Sequence, residues 1–149
     1  MIEIVACLSA VGILSYLIWR KQRGAWMRLA QQFPGPYPST GTEDCSLTFA
    51  LSGFPPMVLK NSVKIKVNES YLGVSPFSAA GWRAFLPDFS IPWESVTSCI
   101  VTGNENLIQV AELKLKGNST KLYIHGDAAP LVKQWHDTYN TTPDKRVSG

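Results

Sequence analysis

Residues 4–19 form an uncharged run, IVACLSAVGILSYLIW, whose strongly polar side chains are Ser9 and Ser15. As an α-helix with a rise of about 1.5 Å per residue, this run would be roughly 24 Å long. The hydrocarbon core of a bilayer is about 30 Å thick, and the flanking residues extend the helix into the interface. The run therefore predicts one transmembrane helix at the N-terminal end of the chain.

Three other interpretations of this run fit the sequence less well. A core helix of a soluble domain would show a polar face, which two serines do not supply. A cleaved signal peptide would carry a basic segment before the run, whereas Glu3 is the charged side chain found there. A lipoprotein signal ending at Cys7 would leave three residues before the motif IVAC, too few for its apolar segment.

The basic residues among the first 33 positions all follow the apolar run, and Glu3 precedes it. Cytoplasmic flanks of membrane helices are enriched in lysine and arginine, so we expect the N-terminus outside and the C-terminal domain in the cytoplasm. The reverse topology, with a periplasmic domain, is the alternative. The same basic side chains are the predicted contacts for anionic lipid headgroups: Arg20, Lys21, Arg23 and Arg28.

The net positive charge of the chain resides entirely in this N-terminal part. Residues 1–33 contain four basic and one acidic side chain, which gives +3, whereas residues 34–149 contain ten of each. A neutral domain lacks the basic surface with which proteins bind nucleic acids. We therefore expect the lipid bilayer as a partner, another membrane or cytoplasmic protein as a second class of partner, and no nucleic acid.

After the apolar run, the sequence predicts a helical stem and a linker. Trp26, Leu29, Ala30 and Phe33 recur at helical spacing, so the stem has an apolar face that lies against either the membrane or the domain. Three prolines then end the helix. The predicted organisation is a transmembrane helix and basic stem at 1–33, a Pro/Gly linker at 34–44, a β domain with a C-terminal helix at 45–140, and a polar tail at 141–149.

The β domain is predicted from alternating apolar runs separated by turn residues. In VKIKV, Val63, Ile65 and Val67 share one face, while Lys64 and Lys66 face water. Similar runs predict six or seven short antiparallel strands over the domain.

Helical periodicity replaces this alternation near the end of the domain. Asp127 is the candidate N-cap of the helix, and His136 is expected on its polar side. The apolar face of the helix is formed by Leu131, Val132, Trp135 and Tyr139.

The segment FSIPWESVTSCI contains a break in the strand pattern. Counting by twos places Phe89, Ile91 and Trp93 on one face, and this parity fails before Val96. Such a slip predicts a bulge or bend at Glu94-Ser95. We therefore expect a corner of the fold here, with Ile91 and Val96 in the core and Trp93 at least half buried beside them.

The longer stretch YLGVSPFSAAGWRAFLPDFSIPWESVTSCIV resembles the central section of GRAM-type and bacterial pleckstrin-homology-like domains. In those domains, a G-L-x-L-S strand leads through a hairpin to I-P-W/L-x-x-I. Their glycine usually precedes the strand, whereas Gly73 lies between Leu72 and Val74. LYIHGDAAPLVKQW resembles the last strand and capping helix of such domains. The resemblance covers about residues 45–140 and implies a mainly β, α+β fold, namely a curled antiparallel barrel with a C-terminal capping helix. The motif residues are Tyr71, Leu72, Val74, Ser75, Ile91, Pro92, Trp93 and Val96.

A second resemblance concerns the anchor, the stem and the IPWE strand. These segments resemble those of a group of small bacterial membrane proteins with an N-terminal anchor, the stem pattern W-x-x-L-A-x-x-F/Y-P and an IPWE strand. The residues that match the stem pattern are Trp26, Leu29, Ala30, Phe33 and Pro34. This resemblance implies a single-pass protein of the bacterial inner membrane and brings no known activity.

Catalytic and cofactor motifs are missing from the sequence. It contains no H-x-x-x-H or C-x-x-C metal pair, no G-x-S-x-G nucleophile turn and no phosphate-binding glycine loop. Cys45 and Cys99 are expected to be reduced, buried thiols. The sequence therefore predicts no cofactor and no enzyme activity, and it favours a non-enzymatic protein- or lipid-interaction module at the membrane.

Trp82 and Arg83, in a run of small residues, are the candidate contacts for a partner, because a loop tryptophan can anchor an interface. Packing of Trp82 within its own hairpin is the alternative. The second hypothesis for function is a membrane-associated enzyme, or an accessory subunit of one, with a site that has no recognisable motif. Its first candidate residues are Asp88, Glu94 and His125.

Overall fold

A computed structural model of the protein describes residues 2–46, 48–51, 63–76, 86–103, 108–119 and 121–142. These residues form two α-helices, α1 (Ile2–Gln32) and α2 (Ala128–Thr141), with eight strands between them. The strands are β1 (Thr42–Ser46), β2 (Thr48–Leu51), β3 (Val63–Val67), β4 (Tyr71–Pro76), β5 (Phe89–Pro92), β6 (Val96–Thr102), β7 (Val110–Leu115) and β8 (Lys121–His125).

The strands are divided between two four-stranded antiparallel sheets. The first sheet has the order β1-β3-β4-β5, and the second has the order β2-β8-β7-β6. The predicted α+β class and C-terminal helix are confirmed, whereas the closed barrel is wrong for the described residues. The chain passes from the first sheet to the second at the β1–β2 junction, returns to the first between β2 and β3, and crosses again at the β5–β6 junction. Within the described residues, the ladders of the two sheets do not join.

The inner faces of the two sheets meet in one hydrophobic core. The predicted alternation in β3 is confirmed, because Val63, Ile65 and Val67 are buried and Lys64 and Lys66 are half-exposed. The antiparallel register continues this buried face across both sheets. Its other buried members include Leu72, Val74, Phe89, Ile91, Ala111, Leu113, Leu115, Leu122 and Ile124.

The predicted corner after β5 is confirmed. A 3-10 turn at Trp93–Ser95 joins β5 to β6, and Ile91, Trp93 and Val96 are all buried. The indole Nε1 of Trp93 donates a hydrogen bond of 2.8 Å to the carbonyl oxygen of Asn68. Trp93 therefore ties the corner to the turn that precedes β4.

The C-terminal helix differs from its prediction in two respects. Asp127 makes no side-chain cap hydrogen bond at the start of α2. His136 is 8% exposed and packs edge-on against Trp93, with 6.4 Å between the ring centroids, so its predicted place on the polar side is wrong. His136 lies one helical turn after the fully buried Val132, on the face that covers the core.

The end of α1 belongs to the same core. Five side chains in its last two turns and just beyond are buried with those of the sheets: Ala25, Trp26, Leu29, Ala30 and Phe33. Of the two alternatives for the apolar face of the stem, the structure has the face against the β domain.

Residues 34–41, which we call the strap, connect α1 to β1. β1 begins at Thr42, three residues before the predicted start of the domain at 45. The strap contacts the outer face of the first sheet, because Ser90 Oγ donates a hydrogen bond of 2.6 Å to the carbonyl oxygen of Pro36. The predicted linker region is therefore in contact with the sheet.

Candidate functional site

The described side chains in the first half of α1 include large apolar ones that are exposed. Every residue from Ser9 to Leu17 is exposed. At 100° per residue, the large apolar side chains here cover about 220° of the helix circumference, far wider than the roughly 100° stripe of an ordinary surface helix. These side chains, each between 51% and 62% exposed, are Val11, Ile13, Leu14, Tyr16 and Leu17.

The side chains of α1 that the structure describes begin at Ser9 and omit residues 18, 19 and 22. Among the described residues, no helical stretch is both long enough and apolar enough to cross a bilayer.

The four predicted headgroup contacts lie just after the exposed apolar segment. All four are exposed, and on a helical wheel each lies about 90° or more from the centre of the face that packs on the domain. Along the helix axis they extend over roughly 12 Å, from the first to the last of Arg20, Lys21, Arg23 and Arg28. The structure thus brings them together on the part of α1 that the domain leaves open, and lipid contact stays a prediction.

Trp26 is the main contact between α1 and the first sheet. Its indole Nε1 donates a hydrogen bond of 2.8 Å to the carbonyl oxygen of Pro87, and its ring packs edge-on against Phe89 at 5.1 Å between centroids. Seven residues later, the carbonyl oxygen of Phe33 accepts a hydrogen bond of 3.4 Å from the backbone N–H of Ser90. These contacts fix the helix along β5.

The strap crosses the outer face of the first sheet. Pro38 lies against Gly73 of β4, where an added Cβ would come within 2.8 Å of Pro38 Cγ and closer still to Cδ. Tyr37 then reaches β3 and β1, because the Lys66 ammonium lies 5.0 Å from its ring centroid and its hydroxyl donates a hydrogen bond of 3.0 Å to Glu43.

Electrostatic contacts at the strap are centred on Glu43. The hydrogen bond from Tyr37, together with Lys66 at 3.2 Å and Lys64 at 3.6 Å, holds the pKa of the Glu43 carboxyl below its usual value. Such exposed ion pairs contribute about 1 kcal/mol or less. The strap is held as well by Pro38, which packs on Gly73, and by the hydrogen bond from Ser90 to the carbonyl oxygen of Pro36.

A surface cleft of about 720 Å³ lies between the strap and the first sheet. The described residues that line it are uncharged, and they include three aromatic residues, Phe33, Tyr37 and Tyr71, and several prolines such as Pro36 and Pro92. The cleft thus offers rings, hydroxyl groups and backbone carbonyls to a ligand, but it contains no acid–base pair.

The predicted partner contacts, Trp82 and Arg83, lie outside the described residues.

The residues proposed for an enzyme are placed in different elements. Asp88 precedes β5 and accepts a hydrogen bond of 2.7 Å from Ser75 Oγ, Glu94 is exposed in the corner turn, and His125 ends β8 in the other sheet. Among the described residues, no group of three histidine, cysteine or acidic side chains could hold a metal ion.

Cys99 is a buried, free thiol on β6. Burial raises the pKa of this thiol to about 11, so it stays protonated at neutral pH and is a poor nucleophile.

Comparison of the sequence with protein-family models and with curated proteins found no match.

Sequence reasoning missed both the strap and its cleft. The contacts of the strap join residues 34–38 to Gly73 and Ser90, far away in the chain, so no local pattern records them. One signal was available: Gly73 interrupts an otherwise bulky strand, as glycine does where another backbone segment approaches closely.

Gly73→Ala should lower the free energy of unfolding by about 1 to 3 kcal/mol, because the new methyl group overlaps Pro38 and displaces the strap. Urea denaturation measures the loss. In the double variant with Pro38→Ala, the ring is gone and the cost of Gly73→Ala should fall. Gly12→Ala, where an added Cβ meets nothing, is the matched control. Equal losses with and without Pro38 would contradict the assigned contact.

Proposed function

We propose that this protein is a single-pass membrane protein whose β domain acts as a non-enzymatic module for contacts with a protein or with lipid at the membrane surface. The observation that carries the proposal is the wide apolar surface of α1 between Val11 and Leu17. Apolar surface left in water costs about 25 cal/mol per Å². Large exposed patches of this kind mark interaction sites with proteins or membranes.

A bilayer fits this surface better than a second protein does. The exposed segment belongs to sixteen consecutive uncharged residues, which matches the length scale of the hydrocarbon core. Four basic residues follow directly, from Arg20 to Arg28, where anionic headgroups would neutralise them. The excess of positive charge on this side supports a cytoplasmic domain, and the membrane that we propose is a bacterial inner membrane.

A pleckstrin-homology-like class is our proposal for the β domain. Two features of the fold support it. The chain passes between two antiparallel sheets at corners, and a C-terminal helix covers the core. The core between the sheets is filled by apolar side chains, and the Cys99 thiol is protonated, which favours binding over catalysis. Trp82 and Arg83 stay the proposed contacts for a protein partner.

Leu14→Arg tests the anchor. An arginine near the centre of a membrane helix costs about 2.5 to 3.5 kcal/mol of insertion free energy, so a large part of the protein should leave the membrane pellet after carbonate washing. The matched control is Gln31→Arg, which adds the same charge at an exposed position of the same helix beside the domain. A wild-type chain that washes off the membrane, or a Leu14→Arg variant that stays on it, would overturn the proposal.

A further inference from the structure

The direction of α1 determines which edge of the domain lies next to the lipid. We propose that the end of the first sheet at Pro87, called the near edge, rests in the headgroup layer. The opposite end of the strands, called the far edge, carries the turns at Glu69 and Glu94 and points away from the bilayer. This inference rests on the proposed membrane anchor and adds the face through which the domain contacts lipid. The partner surface is a lipid headgroup layer.

The distance between the apolar run and the domain is short. The run ends at Trp19, and the first described core residue after it is Ala25, so six helical residues, or about 9 Å, separate them. The run is about 6 Å shorter than the hydrocarbon core, so about 3 Å of the core extends past each end of a centred run. The headgroup region adds roughly 5 to 8 Å more, which reaches the start of the domain. Because α1 is one unbroken helix from Ile2 to Gln32, no flexible linker lets the domain move away from this layer.

Two contacts establish the direction of β5 relative to the helix. Trp26 bonds to Pro87, and Phe33 bonds to Ser90. The step of seven positions from Trp26 to Phe33 corresponds to a rise of about 10.5 Å, and the step of three positions from Pro87 to Ser90 extends about 10 Å. The two elements therefore run side by side, and both lead away from the apolar run.

The antiparallel pairing carries this direction across the sheet. Tyr71 pairs with Pro92 at the end of β5, so the start of β4 lies at the far edge, about 17 Å beyond Pro87. The 68–70 and 93–95 turns belong to that far edge, where Trp93 N–H donates to the Ser70 carbonyl oxygen at 3.2 Å. Part of the cleft lining, including Tyr71 and Pro92, is there as well.

Charge agrees with this orientation. The far-edge turns expose Glu69 and Glu94, which anionic headgroups would repel. At the near edge Pro87 is exposed and uncharged, and the neighbouring carboxylate of Asp88 accepts a hydrogen bond of 2.7 Å from Ser75. The cleft beside Tyr71 is consequently accessible from the side away from the membrane.

Photo-crosslinking to lipid tests the orientation on the full-length chain. The photoreactive residue p-benzoylphenylalanine is placed at Leu14, Pro87, Glu69 or Glu94, and each variant is irradiated in nanodiscs of phosphatidylethanolamine and phosphatidylglycerol. We expect lipid adducts at Leu14 and Pro87, each with a several-fold higher yield than at Glu69 and Glu94. Adducts at Leu14 with equal or lower yield at Pro87 than at Glu94 would overturn the orientation and leave the anchor intact. Missing adducts at Leu14 would overturn the anchor itself.

A second measurement needs no substitution. Hydroxyl-radical labelling of the wild-type chain compares nanodiscs with detergent micelles. The peptide that contains Leu86 and Pro87 should be several-fold less labelled in nanodiscs, whereas labelling of the exposed ring of Tyr71 should be unchanged. Protection of Tyr71 with full labelling at Pro87 would reverse the assigned orientation, even if the photoreactive variant at Pro87 failed to fold.

Discussion

Trp93→Ala should lower the free energy of unfolding by about 3 to 5 kcal/mol, as expected for a large aromatic side chain removed from a packed core. Trp93 is 1% exposed and lies where the chain turns from the first sheet into the second. The substitution removes its contact with the ring of His136 and leaves the carbonyl oxygen of Asn68 without its hydrogen bond. Urea denaturation of the full-length chain in a mild detergent measures the loss.

Two further variants separate the parts of this effect. Trp93→Phe keeps most of the packing but removes the indole N–H, so it should cost about 1 to 3 kcal/mol. Trp135→Ala changes the same residue type at a partly buried position on α2, and we expect a smaller loss there than at Trp93. If Trp93→Ala left the unfolding midpoint unchanged but weakened binding to vesicles or to a protein partner, IPW would be a binding site and not a structural corner.

The corner could be predicted because its signal is local. Strand residues alternate between faces with a period of two, so a change of parity between Trp93 and Val96 requires an extra residue or a turn. The alternation of β3 was predictable for the same reason, since Val63, Ile65 and Val67 are two positions apart. These predictions need no knowledge of what packs against each strand.

The arrangement of the two sheets could not be predicted in the same way. A closed barrel and a pair of separate sheets show the same alternation of inward-facing and outward-facing residues along each strand. They differ in whether β5 pairs with a second strand besides β4, and among the described residues β5 is the last strand of its sheet. Strand pairing joins segments that are far apart in the chain, and no repeating pattern within one segment records it.

His136 shows how a distant partner changes a local expectation. Its spacing from Val132 places it on the buried face of α2, but its polarity favoured exposure. The ring of Trp93, 43 positions earlier in the chain, supplies an aromatic neighbour at that place in the core. Asn140, one turn later, is within 3.2 Å of a ring nitrogen and supplies a polar one.

The candidate site likewise has one part that the sequence could predict and one part that it could not. The exposed apolar helix and its basic residues could be found from the sequence, because composition and order define both. The cleft could not, because it lies between the strap and the first sheet, and lining residues such as Tyr37 and Tyr71 are far apart in the chain.

Trp26→Ala should cost about 3 to 5 kcal/mol of unfolding free energy, and it should also loosen α1 from the domain. Trp26 is 3% exposed, donates to the carbonyl oxygen of Pro87 and packs edge-on against Phe89. Urea denaturation measures the stability. Lipid crosslinking from Pro87 measures how firmly α1 orients the domain, and the crosslinking yield should fall because the domain no longer has a fixed orientation. Retention of the chain in the membrane pellet should not change, because the apolar run is intact.

The control for this prediction lies two residues away on the same helix. Arg28 is exposed, so Arg28→Ala should change stability by no more than about 0.5 kcal/mol. Trp26→Phe should fall between the two, because a phenyl ring keeps the contact with Phe89 but cannot donate to Pro87. If Trp26→Ala left the unfolding free energy unchanged but reduced membrane retention, the apolar face of the stem would belong to the bilayer. The domain would then have no rigid connection to its anchor, and the orientation proposed for the Pro87 edge would lose its basis.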